Sequence, residues 1–168
     1  MAEKEKSDKL EKLKAEYEKL KQKYKLPDFN GLDDEFEIRT IKANSYIIKE
    51  IRRLIIHKIE DILSLINPVL NPNPQSLHSL IETKIFEKQD IEPMFEFYRK
   101  LFQLAHEGIT ASLESEASEA SWINKAWKEW PDIKKKAHSY SKKISDGWGK
   151  AEKEVFADKY LGCSRGSS

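Results

Sequence analysis

Apolar residues recur every three or four positions along most of the chain, which is the spacing of one face of an α-helix. The widest such face comes from six isoleucines, Ile48, Ile51, Ile55, Ile59, Ile62 and Ile66. Glycine and proline are few, six of each in 168 residues, so turn-rich β folds are disfavoured. The pattern predicts an all-α protein, a helical bundle of about four to six helices with an N-terminal coiled-coil-like helix.

A heptad pattern occupies the N-terminal segment, residues 1–26. Leucines and tyrosines there alternate at spacings of three and four, and almost every other position is Lys or Glu. Three interpretations of this stripe are open: it packs on the chain's own bundle, it pairs with another copy, or the helix is a solvated arm. We predict a contact surface that consists of Leu10, Leu13, Tyr17, Leu20 and Tyr24.

Pro27 is expected to end this first helix, because the residue before a proline avoids the α-helical conformation. Residues 25–31 should then form a turn, with Phe29 and Leu32 in the core. Phe36, Ile38 and Ile41, in and after the acidic stretch that follows, belong either to a short extended piece or to the beginning of the next helix, and we favour the latter. The predicted organisation is therefore an N-terminal helix (1–26), a helical bundle domain (27–161) and a disordered tail (162–168).

Prolines, glycines and capping residues predict where the later helices begin and end. Pro68 is expected to stop the isoleucine-rich helix, and Asn73 to cap a short helix with Pro74 at its first position. The last helix is predicted to begin near Pro131 and to kink or break near Gly147. Before it, a long helix is expected to bury one stripe made of Ile91, Met94, Phe95, Tyr98, Leu101, Phe102, Ala105, Ile109 and Leu113.

Charge is abundant but balanced, with 30 basic and 29 acidic residues and a formal net charge of +1. A net charge this small does not draw the chain to nucleic acid or to an anionic membrane, so any such attraction must come from a local patch. Charged residues interrupt the most apolar stretch, residues 46–70, which predicts a core helix and not a membrane-spanning one. The N-terminus lacks the apolar region of a secretory signal. Together these features predict a soluble, cytoplasmic protein that does not bind membranes.

The sequence contains none of the familiar catalytic or phosphate-binding motifs. The single cysteine, Cys163, excludes an intramolecular disulfide and a cysteine zinc site. Two histidine–carboxylate pairs have helical spacing, His57 with Glu60 and His78 with Glu82, and would suit a metal-binding bundle if they met. Such pairs arise often in Glu-rich helices, so we predict no enzyme, no cofactor and no metal site.

Tryptophans and lysines are concentrated in residues 122–143. Trp127 and Trp130 share one helix face, whereas Trp122 points about 140° away from Trp127 at about 100° per residue. These tryptophans are either core residues or interface anchors, and we predict that all three belong to an interface. Lysines beside aromatic faces suit RNA, so an alternative nucleic-acid surface consists of Lys125, Lys128, Lys134, Lys135, Lys136 and Lys142. Three of them are consecutive and spread around the helix, which weakens this alternative.

Four stretches carry a resemblance: Lys23–Phe29, Leu32–Phe36, Asn67–Leu80 and Trp127–Pro131. Together they resemble small, Lys- and Glu-rich helical proteins of archaea that have no assigned activity. The resemblance covers most of the chain up to about residue 150. It implies an archaeal, cytoplasmic, all-helical protein, and it implies no mechanism.

The heptad stripe, and the lack of a nucleophile, base and orienting group at a recognisable spacing, favour one functional class. We predict a non-catalytic protein–protein interaction module that self-associates as a homo-oligomer. One alternative is an RNA- or ribosome-associated factor that uses residues 122–143, and a second is a carboxylate–histidine metal-binding bundle.

Overall fold

The computed structural model describes the backbone of residues 2–42 and 46–151, and the side chains of residues 8–42 and 46–150. The predicted tail at residues 162–168, which includes Cys163, lies outside the described residues. Within them, the helices of the structure span Ala2–Tyr24 (α1), Phe29–Phe36 (α2), Ile47–Leu70 (α3), Leu77–Ile85 (α4), Lys88–Glu114 (α5) and Glu116–Ala151 (α6), with a short 3-10 helix at Ile38–Thr40.

The predicted all-α helical bundle is confirmed, because the described residues form these helices and no strand. None of the helices in this part of the chain is both long and apolar enough to cross a membrane. The cytoplasmic location stays a prediction.

The chain divides into two compact units. Unit 1 comprises residues 1–61 and 100–132, and unit 2 comprises residues 62–99 and 133–168. Three helices, α3, α5 and α6, contribute residues to both units. The predicted contact residues of α1 and the three neighbouring tryptophans Trp122, Trp127 and Trp130 all belong to unit 1.

The core of unit 1 confirms that the stretch after Pro27 turns inward, since Phe29 and Leu32 are buried. These two residues lie on α2, a helix that the sequence did not predict. Asp28 begins it as the N-terminal cap, because its carboxylate accepts a hydrogen bond of 3.0 Å from the backbone N–H of Asn30. The helix ends at Glu37, which takes the left-handed conformation at φ 57°.

Three predicted helix boundaries are wrong. Pro68 does not stop α3, which continues to Leu70, because burial of Val69 holds the last turn in place. Asn73 does not cap α4; its side chain accepts from the N–H of Gln75 in a turn, and Ser76 is the cap.

The third error concerns α6, which begins at Glu116 and passes through Pro131 without ending. The predicted break near Gly147 is also absent, since α6 continues to Ala151. In unit 2 this glycine serves packing instead, because a Cβ at this position would collide with the side chain of Ile85 on α4. Close helix approach therefore accounts for Gly147.

A buried carboxylate fixes the 3-10 helix to α2 in unit 1. Asp33 accepts hydrogen bonds from the backbone N–H of Arg39 at 2.8 Å and from its Nε at 2.7 Å. Burial opposes ionisation of Asp33, but the bonds from Arg39 outweigh it, and the pKa of Asp33 lies below its ordinary value of 3.8.

Replacing Asp33 with Asn is expected to remove a pH-dependent part of the stability. A carboxyl group whose pKa is depressed on folding stabilises fully above its unfolded pKa, and this contribution is lost as the pH falls through the folded pKa. The difference in free energy of unfolding between wild type and Asp33→Asn should be constant near neutral pH and shrink in acid. Urea unfolding at several pH values measures it. Arg39→Gln should weaken the same pH dependence, and a difference that persists unchanged in strong acid would contradict the assignment.

Candidate functional site

The N-terminal stripe packs largely on its own chain. Leu13 is 2% exposed and Tyr17 is fully buried. The Tyr17 hydroxyl donates to the backbone carbonyl of Pro27 at 2.7 Å, and its ring meets Phe29 edge-on with centroids 5.4 Å apart. Burial, with a further effect of the Asp28 carboxylate, raises the pKa of Tyr17 well above its usual value. These two side chains therefore contribute to the unit 1 core.

The remaining residues of the stripe are half-buried. Leu10, Leu20 and Tyr24 keep part of their surface open to solvent. Tyr24 also binds its own chain, because its hydroxyl donates to Glu116 Oε1 at 2.6 Å and its carbonyl accepts from Asn124 Nδ2 at 3.1 Å. A contact with another copy through the stripe stays a prediction, and Leu10 and Leu20 are the side chains that could make it.

The three tryptophans predicted as interface anchors pack within unit 1. Trp122 and Trp130 are buried, and their indole N–H groups donate to the Leu104 carbonyl and to Glu35 Oε2, each at 2.9 Å. Trp127 is half-buried, and its ring lies so close to Gly31 that a Cβ atom added there would be 3.2 Å from it. The interpretation as aromatic core accounts for these contacts, and little tryptophan surface remains for a partner.

The lysines of the alternative RNA surface differ in their contacts and are divided between the two units. Lys125 pairs with Glu107 at 2.5 Å, and Lys136 lies 5.7 Å from the ring centroid of Phe97. Lys128, Lys134, Lys135 and Lys142 are exposed. Lys125 and Lys128 belong to unit 1 and the other four to unit 2. The three consecutive lysines of unit 2, Lys134, Lys135 and Lys136, spread around α6 and form no single stripe, which gives RNA binding little support.

The two histidine–carboxylate pairs do not gather a metal-ligand set. No group of three or more His, Cys, Asp or Glu side chains suited to a metal ion occurs among the described residues. His57 and Glu60 are exposed. In unit 2, buried Glu82 accepts through Oε1 from His78 Nε2 and from Trp148 Nε1, each at 3.1 Å. Glu82 therefore ties α4 to α6 within this unit.

The feature that sequence reasoning missed is an exposed apolar face on α5. In unit 1, Phe102 is 48% exposed, Ile109 is 46% exposed and Leu113 is 83% exposed. In unit 2, Phe95 is also exposed. The sequence predicted that all four would be buried, and this prediction is wrong. Met94, Leu101 and Ala105 of the predicted stripe are buried, and Phe97, Leu104 and Ala111, which lie outside it, take further core positions on the same helix.

The exposed face of α5 in unit 1 is not uniformly apolar. The ring of His106 stacks on Phe102, with centroids 4.3 Å apart, and its Nδ1 lies 2.9 Å from the Phe102 carbonyl oxygen. Beside this face a shallow groove of about 490 Å³ runs between α5 and α6, and it reaches the edge of Trp122. Apolar surface of this kind, rimmed by polar groups, is typical of a protein–protein contact.

Searches for related proteins give no family for this chain: no family model matches it, and neither does any curated protein or solved structure.

Proposed function

We propose that this chain is a non-catalytic protein–protein interaction module that self-associates, and that it does so through the exposed face of α5 in unit 1. The supporting observation is Leu113, which leaves 83% of its surface in water next to half-exposed Ile109. Burial of a fully exposed leucine side chain by a partner contributes about 1.5–3 kcal/mol to the free energy of association.

The location differs from the N-terminal stripe that the sequence suggested. Leu13 and Tyr17 are already buried, so a second copy can remove little further surface from water there. Ile109 and Leu113 are apolar, and solvent still reaches them. A second copy is the partner that we propose, because Lys9 and Lys12 flank half-buried Leu10 and offer a basic, apolar surface to the acidic end of α5.

Replacing Leu113 with Asp is expected to weaken self-association by at least about tenfold, since the apolar contact is lost and a charge must be desolvated. Size-exclusion chromatography with light scattering, repeated over a wide concentration range, measures the effect. Because Leu113 is mostly exposed, the variant should keep the far-UV circular dichroism of the wild type.

The matched control is His57→Asp, which places the same new charge at an exposed position of α3 in unit 1. It should associate like the wild type. A wild-type protein that stays monomeric at the highest concentration reached would overturn the proposed function, and so would a Leu113→Asp variant that associates normally.

A further inference from the structure

Unit 1 contains a groove whose walls are basic and whose floor is apolar, which we call the basic groove. It lies between the N-terminal half of α1 and the 3-10 helix, with a volume of about 690 Å³. This size is within the usual range for sites that bind a small ligand or an inserted side chain. The groove is lined by Lys9, Leu10, Lys12, Arg39, Thr40, Ile41 and Lys42.

Most cations of the basic groove have no acidic partner among the described side chains. Arg39 is held by Asp33. Lys9, Lys12 and Lys42 are exposed, and none of them makes an ion pair with a described side chain. Half-buried Leu10 and Ile41 supply the apolar floor. An occupant that fits this groove presents an apolar side chain together with negative charge, because the lysines repel cations and the floor excludes strongly hydrated groups.

The same unit carries a surface with that chemistry at the end of α5, which we call the acidic corner. It consists of Ile109, Leu113 and Glu114. Glu114 is exposed and makes no ion pair with a described side chain. Residues 107–120 contain no Lys or Arg, and two carboxylates of this segment, Glu107 and Glu116, are paired with Lys125 and Lys23, which leaves Glu114 as the exposed charge of the corner.

The acidic corner does not reach the basic groove of its own chain. Glu116, two residues after Glu114, is bound by the Tyr24 hydroxyl at 2.6 Å, at the C-terminal end of α1. The groove is formed by Lys9 and Lys12 near the other end of this helix. The twelve residue steps from Lys12 to Tyr24 span about 18 Å of α-helix. A second copy can therefore bring the two surfaces together where one copy does not.

We propose that self-association is head-to-tail, with the acidic corner of one copy seated in the basic groove of the next. Leu113 packs against Leu10 and Ile41 on the apolar floor, and Glu114 lies among the groove lysines. This inference rests on the proposed self-association and names the surface that receives Leu113. Since the two contacting surfaces differ, each dimer keeps one open corner and one open groove, and growth continues into rings or chains.

A mixing experiment tests this arrangement. One variant, Leu113→Asp, loses the corner, and the other, Lys9→Glu with Lys12→Glu, loses the groove. Each variant alone is expected to self-associate at least about tenfold more weakly than the wild type, and so to be monomeric at concentrations where the wild type associates. Mixed in equal amounts they should form a dimer of one copy of each and nothing larger, because only one intact corner and one intact groove remain. Light scattering gives the mass, and a tag on one variant shows the composition.

The matched control is Lys84→Glu with Lys88→Glu, which reverses two exposed lysines of unit 2 and should associate like the wild type. If the groove variant self-associates normally while Leu113→Asp does not, the head-to-tail inference fails and the proposed function stands. A mixture of two monomeric variants that stays monomeric also overturns the inference. If the wild type does not associate at all, both fail.

Discussion

Replacing Arg52 with Met is expected to lower the free energy of unfolding by about 3–5 kcal/mol, because it leaves the Glu119 carboxylate buried without its cation. Both side chains are almost inaccessible, 8% exposed for Arg52 and 11% for Glu119. Arg52 Nε donates to Glu119 Oε2 at 2.6 Å and so joins α3 to α6 inside unit 1. A carboxylate in that position must either stay charged in an apolar core or take up a proton, and both lower stability.

The converse change, Glu119→Gln, should cost a similar amount, because the guanidinium then loses its counter-charge. Replacing both residues, as Arg52→Met with Glu119→Leu, should recover most of the loss, since apolar side chains of similar volume often substitute for a buried pair at little cost. Urea unfolding followed by tryptophan fluorescence measures all three variants. This signal reports mainly on unit 1, which holds three of the four tryptophans.

The matched control is the exposed pair formed by Arg53 with Glu50 on the same helix, at 3.1 Å. Arg53→Met should change the free energy of unfolding by no more than about 0.5 kcal/mol, because surface pairs one helical turn apart contribute little. If Arg52→Met cost as little as Arg53→Met, the pair would not be buried as described. If the double variant were no more stable than the single ones, the loss of stability would come from changed packing and not from an unpaired buried charge.

The sequence predicts the helices well where a single apolar face is unambiguous. The isoleucine-rich segment forms α3, and its periodic members Ile48, Ile51, Ile55 and Ile59 are buried. Helix ends are predicted less well, because prolines give only a local preference. Pro68 and Pro131 both lie inside helices, where tertiary packing outweighs the lost hydrogen bond.

The exposed face of α5 could not be predicted, for a reason specific to its composition. Apolar residues occupy more than one face of this helix, so periodicity alone gives two competing stripes. Which stripe is buried depends on the partners that pack against α5. The available signal was the small residues Ala105, Gly108 and Ala111, which allow close helix approach and mark the inner stripe.

The basic groove was also beyond prediction, since it joins residues that are distant in sequence. Lys9 and Lys12 belong to the charged positions beside the heptad stripe, and Ile41 is almost thirty residues further along the chain. Only the turn at Pro27 and the 3-10 helix bring them to one surface. The prediction of the N-terminal stripe was informative in part, because one of its three interpretations was packing on the chain's own bundle, and Leu13 and Tyr17 pack in this way.

In a double-mutant cycle of Gly108 and Trp122, the effect of Gly108→Ala on the free energy of unfolding is expected to change sign when Trp122 is replaced. A Cβ at Gly108 would lie 2.7 Å from two atoms of the Trp122 ring and 3.0 Å from Ile56. Gly108→Ala is therefore expected to destabilise unit 1, because overpacking costs about 1–3 kcal/mol and outweighs the gain of about 1 kcal/mol in helix propensity. Trp122→Ala is expected to cost about 3–5 kcal/mol, since the buried ring and its bond to the Leu104 carbonyl are both lost.

In the Trp122→Ala background the collision with the ring is gone, and the Ile56 methyl group at 3.0 Å can move into the space that the ring leaves. Gly108→Ala should then stabilise the protein through helix propensity and by filling part of the cavity. Urea unfolding followed by far-UV circular dichroism gives the four free energies without relying on the tryptophan signal. Gly149→Ala is the matched control, because a Cβ there meets nothing within 4 Å and should be neutral or stabilising in both backgrounds. If Gly108→Ala had the same effect with and without Trp122, the two residues would be independent, and the close approach of α5 to α6 would not be the reason for this glycine.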